Sequence, residues 1–104
     1  MTVYAVRLAL AFMHEPGSFG PNDAILYKCV DLPFVPTVGL TLDETRSREY
    51  TDGYLLSEVA YNMDTGIFEC WIKTIYLGRY ADVEIEERAK FYERIGWKRD
   101  KSCG

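Results

Sequence analysis

The sequence predicts an α+β fold: a strongly curved, mainly antiparallel five-stranded sheet, or a small partly open barrel, with one C-terminal α-helix. Three observations support this prediction. Several runs are rich in β-branched and aromatic residues, two of these runs are joined by a short turn, and one stretch near the end has helical periodicity. The 104 residues are expected to form one domain, 1–104, with fraying at 1–2 and 98–104.

A hairpin over residues 53–77 is the predicted centre of the sheet. Its loop, 62–66, suits a type I turn followed by Gly66 in the left-handed region. Because side chains alternate along a strand, the first strand should carry four residues on each face. One face would hold Leu55, Ser57, Val59 and Tyr61, and the other Leu56, Glu58, Ala60 and Asn62.

Residues 3–12, 24–32 and 40–42 are the other predicted strands. The first carries large apolar side chains on one face and mostly alanine on the other, which should let a helix approach the alanine face closely. A strand that is apolar on both faces is normally central. Pro33 and Pro36 then predict an edge or a crossing between sheets. The charged stretch 43–52 is interpreted as a solvated loop or a single helical turn.

A helix is predicted over residues 83–95, with Asp82 as its N-cap. Gly96 suits the left-handed position after the helix end, and Trp97 should fold back on Tyr92 or Phe91. The apolar stripe consists of Ile85, Ala89, Tyr92 and Ile95, widened by Phe91. Two i,i+4 ion pairs are expected, Glu84 with Arg88 and Glu86 with Lys90.

Composition excludes several classes of function. The net charge of −4 argues against a general nucleic-acid binder, because such binding depends on Lys and Arg at phosphates. The apolar N-terminus has no basic region before it, is interrupted by Arg7 and is not followed by a small-residue cleavage pattern, which argues against a signal peptide. It is also far shorter than a membrane span, so a cytoplasmic location without membrane contact is expected. Cys29 and Cys70 are expected to be buried thiols and Cys103 an exposed one. The spacing predicts no metal site and no cofactor.

Trp71 is the most suggestive candidate for binding, because it lies between Glu69 and Lys73. A large indole flanked by opposite charges is typical of an interface anchor with a polar surround. The alternative is a tryptophan packed under the C-terminal helix, and the sequence leaves both open. Tyr27, on the predicted strand 24–32, and Tyr61, on the first strand of the hairpin, complete the candidate ligand- or partner-binding set.

Function is predicted only broadly, as a non-catalytic binding module that engages a small organic ligand or a protein partner. The sequence contains no P-loop, GxGxxG, GxSxG or HExxH motif. The alternative is a small isomerase or hydrolase that uses His14 with Glu15, or a carboxylate in a cleft. His14 lies in the proline- and glycine-rich loop 14–23, which Phe19 is expected to pin to the body.

The number of apolar strand faces predicts self-association. At least three strands are apolar on both faces, and one helix cannot cover both sides of the sheet. Each 100 Å² of apolar surface left in water forgoes about 2.5 kcal/mol. A homo-oligomer, most often a two-fold dimer, is therefore expected, with Trp71 or neighbouring tyrosines at the contact.

Overall fold

The computed structural model describes residues 2–17, 20 and 23–103, so the expected role of Phe19 lies outside the described residues. Its strands are β1 (Tyr4–Met13), β2 (Ala24–Leu32), β3 (Thr41–Leu42), β4 (Tyr54–Asn62), β5 (Ile67–Ile72) and β6 (Ile75–Tyr76). A 3-10 turn spans Thr45–Ser47, and the helix α1 spans Asp82–Arg94.

The strands form one mixed, strongly curled sheet in the order β2-β1-β5-β4-β3, and the short β6 continues beside β1. The pairs β1–β2, β4–β5 and β3–β4 are antiparallel, whereas β5 and β6 run parallel to β1. The predicted α+β class, the half-barrel curl and the single C-terminal helix are confirmed. The chain between β2 and β3, which contains Pro33 and Pro36, runs from one edge of this single sheet to the other. The prolines thus follow an edge strand, the first of the two predicted alternatives, and do not mark a crossing between sheets.

The helix packs against the large side chains of β1, so the prediction that it covers the alanine face is wrong. Phe12 contacts Tyr92 with ring centroids 5.4 Å apart, and Ile85 and Ala89 join the same core. The core also contains Val6, Leu8, Leu10, Leu26, Leu56, Cys70 and Ile72. A curled sheet encloses volume on one side, and only the large residues can fill it. The alanines therefore lie on the face turned away from α1, called the outer face below.

A β-bulge in β4 changes the predicted distribution of its side chains. Leu56 pairs with Ile72, but Glu58 pairs with Trp71, so Ser57 is an extra residue in the strand. The extra residue reverses the alternation. Leu56 therefore shares the helix side of the sheet with Val59, and the prediction that it shares a face with Glu58 is wrong.

The charged stretch 43–52 is not simply a solvated loop, because Glu44 connects three distant elements. Its carboxylate accepts hydrogen bonds from Tyr54 Oη (2.8 Å) and from Trp97 Nε1 (3.0 Å), and forms an ion pair with Lys28 of β2. Burial alone would raise the pKa of Glu44, but these three donors outweigh burial and lower it. Glu44 thus ties the segment after β3 to the opposite sheet edge, which holds the curl.

The helix ends partly as predicted. The N-cap is Ala81, and Asp82 is the first helical residue, so the predicted N-cap is wrong. The Asp82 carboxylate instead contacts the His14 ring. At the other end, Gly96 has φ +105°, Trp97 N–H donates to the Tyr92 carbonyl (3.0 Å), and the two rings contact at 5.8 Å. This ending is confirmed. Glu86 pairs with Lys90 at 3.9 Å, whereas Arg88 lies over the Tyr50 ring rather than beside Glu84.

The segment 98–103, expected to fray, is held against β2. Lys98 and Tyr27 exchange backbone hydrogen bonds, and Cys103 forms a disulfide with Cys29 across 5.6 Å between Cα atoms. The predictions of a buried Cys29 thiol and a free Cys103 thiol are therefore wrong. Cys70 is a free, buried cysteine as predicted, and burial raises the pKa of its thiol.

Candidate functional site

The outer face is organised in rows by the register of four adjacent strands. One row runs Glu58, Trp71, Ala9, Tyr27, and the next runs Ala60, Glu69, Arg7, Cys29. Directly paired residues in a sheet point to the same side, so these side chains are neighbours. The bulge at Ser57 brings Glu58 into the row of Trp71. The Ser57 hydroxyl donates to the Trp71 carbonyl (3.1 Å).

Trp71 lies between two hollows of the outer face. The larger, about 360 Å³, lies along β4 and β5. It is lined by Val38, Ser57, Glu58, Val59, Ala60, Glu69 and Trp71. The smaller, about 170 Å³, has Ala9 as a low point between Trp71 and Tyr27. Alanine between two aromatic side chains leaves room that a larger residue would fill.

The charges of the smaller hollow neutralise one another. Arg7 forms an ion pair with Glu69, and a guanidinium nitrogen of Arg7 also donates to the Lys101 carbonyl (3.1 Å). The Lys101 ammonium lies 5.8 Å from the centre of the Tyr27 ring, a cation–π distance. The C-terminal segment therefore covers Tyr27, which is 8% exposed, while Trp71 remains 38% exposed.

The structure brings together three of the five residues proposed for binding. Trp71, Glu69 and Tyr27 share the outer face, and Trp71 is not packed under the helix, since its neighbours Cys70 and Ile72 face the core instead. Lys73 is exposed just after β5 ends. Tyr61 lies on the opposite side of the sheet, with its ring 4.8 Å from that of Phe68.

Arg7 and Lys101 belong to this surface but were not predicted from the sequence, and Glu58 was considered only as one of the carboxylates that could lie in a cleft. Glu58 reaches Trp71 only because of the bulge, and Lys101 reaches Tyr27 only because the disulfide draws the tail over β2. The one available signal was Arg7, a charge in the middle of an otherwise apolar strand, whose partner should lie on an adjacent strand.

His14 forms a second polar cluster, at the end of β1. Its Nδ1 lies 2.6 Å from Asp23 Oδ1 and its Nε2 lies 2.5 Å from Asp82 Oδ1. Carboxylates accept hydrogen bonds, so this arrangement favours the protonated ring, in which each nitrogen can donate to one carboxylate. The bond to Asp23, then the bond to Asp82, raises the pKa of His14. Glu15 does not join this cluster, since it pairs with Arg79 at 3.0 Å.

Asp23 is the more buried of the two carboxylates. Burial raises its pKa, but hydrogen bonds from the Gly20 amide and from the ring and amide of His14 outweigh burial and lower it. The cluster therefore joins the end of β1, the start of β2 and the first turn of α1. Because each ring nitrogen of His14 already faces a carboxylate, neither is directed toward an open site where a substrate could lie.

Within the described ranges, no group of three or more His, Cys, Asp or Glu side chains is arranged to hold a metal ion. None of the helices in that part of the chain has the length and apolar character needed to cross a bilayer. Comparison with protein-family models, with curated proteins and with solved structures found no match. The basis for a functional proposal is therefore the set of side chains on the outer face.

Proposed function

We propose that this chain is a non-catalytic binding module that engages a protein partner or a small organic ligand through its outer face. The observation that supports this most is Trp71, 38% exposed at the centre of a sheet face that the helix does not cover. Partly exposed tryptophans are over-represented among the residues that dominate binding energy at interfaces.

The surroundings of Trp71 also support a binding role. Small residues, Ala9 and Ala60, lie next to the indole and leave its sides accessible. Glu58, Glu69 and Arg7 form a charged surround, which favours specificity and orientation of a partner more than affinity.

The excess of apolar strand surface favours a second copy of this chain as the partner at the outer face. A two-fold dimer would cover Trp71 and Leu55, which is 39% exposed. Light scattering at micromolar concentration distinguishes a dimer from a monomer. A mass of about twice 12.0 kDa supports the dimer, and a mass of 12.0 kDa contradicts it while leaving a different partner possible.

Catalysis by His14 is the second candidate, because the two carboxylates around it form a preorganised polar cluster. The geometry favours a tethering role instead, since both ring nitrogens are bonded and Glu15 is engaged by Arg79. If a His14→Gln variant retains every ligand response measured for the wild type, the His14 imidazole is excluded as a catalytic group.

A thermal-shift panel of small organic compounds and blocked tripeptides tests the binding function. Wild type should be stabilised by members of the panel, and the Trp71→Leu variant should not respond to those members. Leucine keeps an apolar side chain at a half-exposed position, so the variant should fold. Stabilisation that is equal in both proteins, or absent in the wild type, would contradict the proposal.

The expected cytoplasmic location also stays a proposal. The Cys29–Cys103 disulfide bears on it, because disulfides persist mainly in oxidising compartments. Acid trapping of thiols in intact cells, followed by mass spectrometry, would settle the redox state of the pair. Reduced cysteines would support the cytoplasm, and a disulfide at full occupancy would contradict it.

A further inference from the structure

The larger hollow of the outer face, called the acidic groove below, is formed by Val38, Glu58, Ala60, Glu69 and Trp71 with adjoining backbone. Its large apolar lining residues are Trp71 and Val38, which is 64% exposed. The ionisable side chains that line it are both carboxylates. A groove with an aromatic wall and a carboxylate complements a cation that also has an apolar or planar body.

The charges on the two sides of Trp71 are not balanced in the same way. Glu69 is paired with Arg7, and Tyr27 is capped by Lys101. Glu58, in contrast, makes no ion pair with any residue in the described ranges. On the side of Trp71 nearer β1 and β2, Arg7 thus neutralises Glu69, and Lys101 covers the Tyr27 ring. On the β4 side, no basic side chain in the described ranges pairs with Glu58.

We propose that the acidic groove binds an arginine side chain from a basic segment of a partner polypeptide; this rests on the binding function proposed above. A guanidinium is planar, stacks on an indole face and donates in pairs to a carboxylate. Trp71 and Glu58 are direct cross-strand partners, so one guanidinium can meet both. The groove opens to solvent rather than enclosing its contents, which suits a side chain presented by a polypeptide more than a buried small molecule.

The test measures binding of two blocked pentapeptides, Gly-Gly-X-Gly-Gly, in which X is arginine or its neutral isostere citrulline. The reporter is the fluorescence of Trp71, since Trp97 is only 2% exposed. Arginine should bind at least about fivefold more tightly than citrulline, because only the guanidinium carries the charge that the indole and Glu58 attract.

A pair of charge-matched variants locates the effect. Glu58→Gln should reduce affinity for the arginine peptide by about three- to fivefold and leave citrulline unchanged. Glu84→Gln removes the same charge from the exposed surface of α1 and should leave both affinities unchanged.

Each other outcome overturns the inference in a distinguishable way. Equal affinity for both peptides would show binding at Trp71 without preference for a cation, so the binding function would survive and the arginine site would not. No response to either peptide would also reject the arginine site, while the thermal-shift panel decides the binding function separately. A doubled mass with Trp71 covered would assign the groove to a second copy of this chain.

Discussion

Replacing Glu44 with alanine should destabilise the fold by about 3–5 kcal/mol, because this carboxylate joins three elements that are distant in sequence. Two of its donors, the Trp97 indole and the Tyr54 hydroxyl, belong to residues that are only 2% exposed. Each buried donor left without an acceptor costs about 1–3 kcal/mol. Lys28 is 27% exposed and can be rehydrated, so its ion pair contributes about 1 kcal/mol or less.

Glu44→Gln should cost less, about 1–2 kcal/mol. The amide oxygen can still accept from Tyr54 and Trp97, which both donate to the same carboxylate oxygen, whereas the amide nitrogen now faces the Lys28 ammonium. Glu49→Ala, in the same loop but exposed, should change stability by less than about 0.5 kcal/mol and serves as the matched control.

Urea denaturation of the four proteins at pH 7 measures these differences, with m-values compared to check that unfolding stays two-state. The decrease in the free energy of unfolding at acidic pH gives a second test. Because the pKa of Glu44 is lowered below 4.5 in the folded protein, its contribution is full above about pH 4.5 and is lost as pH falls through the lowered value. The Glu44→Gln variant should not show the part of this decrease that comes from protonation of Glu44. A Glu44→Ala variant as stable as the Glu49→Ala control would refute the role of Glu44 in holding the curl.

Three further perturbations have defined outcomes. NMR titration of His14 should give a pKa above 6.5, and the Asp82→Asn substitution should lower that pKa. The stability that the cluster contributes should be fully present below about pH 6.5 and lost as pH rises through the raised pKa of His14. A pKa of His14 at its ordinary value would contradict this prediction. Cys103→Ser should lower the free energy of unfolding by about 2–4 kcal/mol under oxidising conditions, since the disulfide closes a 74-residue separation; denaturation equal to wild type would contradict this. Trp71→Leu should change stability by about 1 kcal/mol or less, because the indole is partly exposed; a larger loss in urea denaturation would make Trp71 a structural residue rather than a binding one.

Local features of the fold were predictable from the sequence. Gly66 occupies the left-handed position that the turn requires, at φ +72°, and Gly96 does so after the helix. Strand β2 has the predicted bounds, Ala24–Leu32. These predictions succeeded because turn chemistry and periodicity act over a few residues.

The features that were missed depend on partners far along the chain. The bulge at Ser57 moves Glu58 beside Trp71, and alternation alone carries no sign of an inserted residue. Glu44 was predicted to be solvated because its neighbours are charged, yet its partners lie 10 to 53 positions away. The Cys29–Cys103 disulfide is equally non-local, since an odd cysteine count does not reveal which pair meets.

The most direct measurement of the central claim is an NMR map of the backbone amides perturbed by members of the tripeptide panel that bind. Binding at the outer face predicts that shifts concentrate along the two rows that contain Ala9, Arg7, Trp71 and Glu58, while the amides around His14 and the first turn of α1 stay unchanged. Shifts centred on the His14 cluster, with the outer face silent, would contradict the claim.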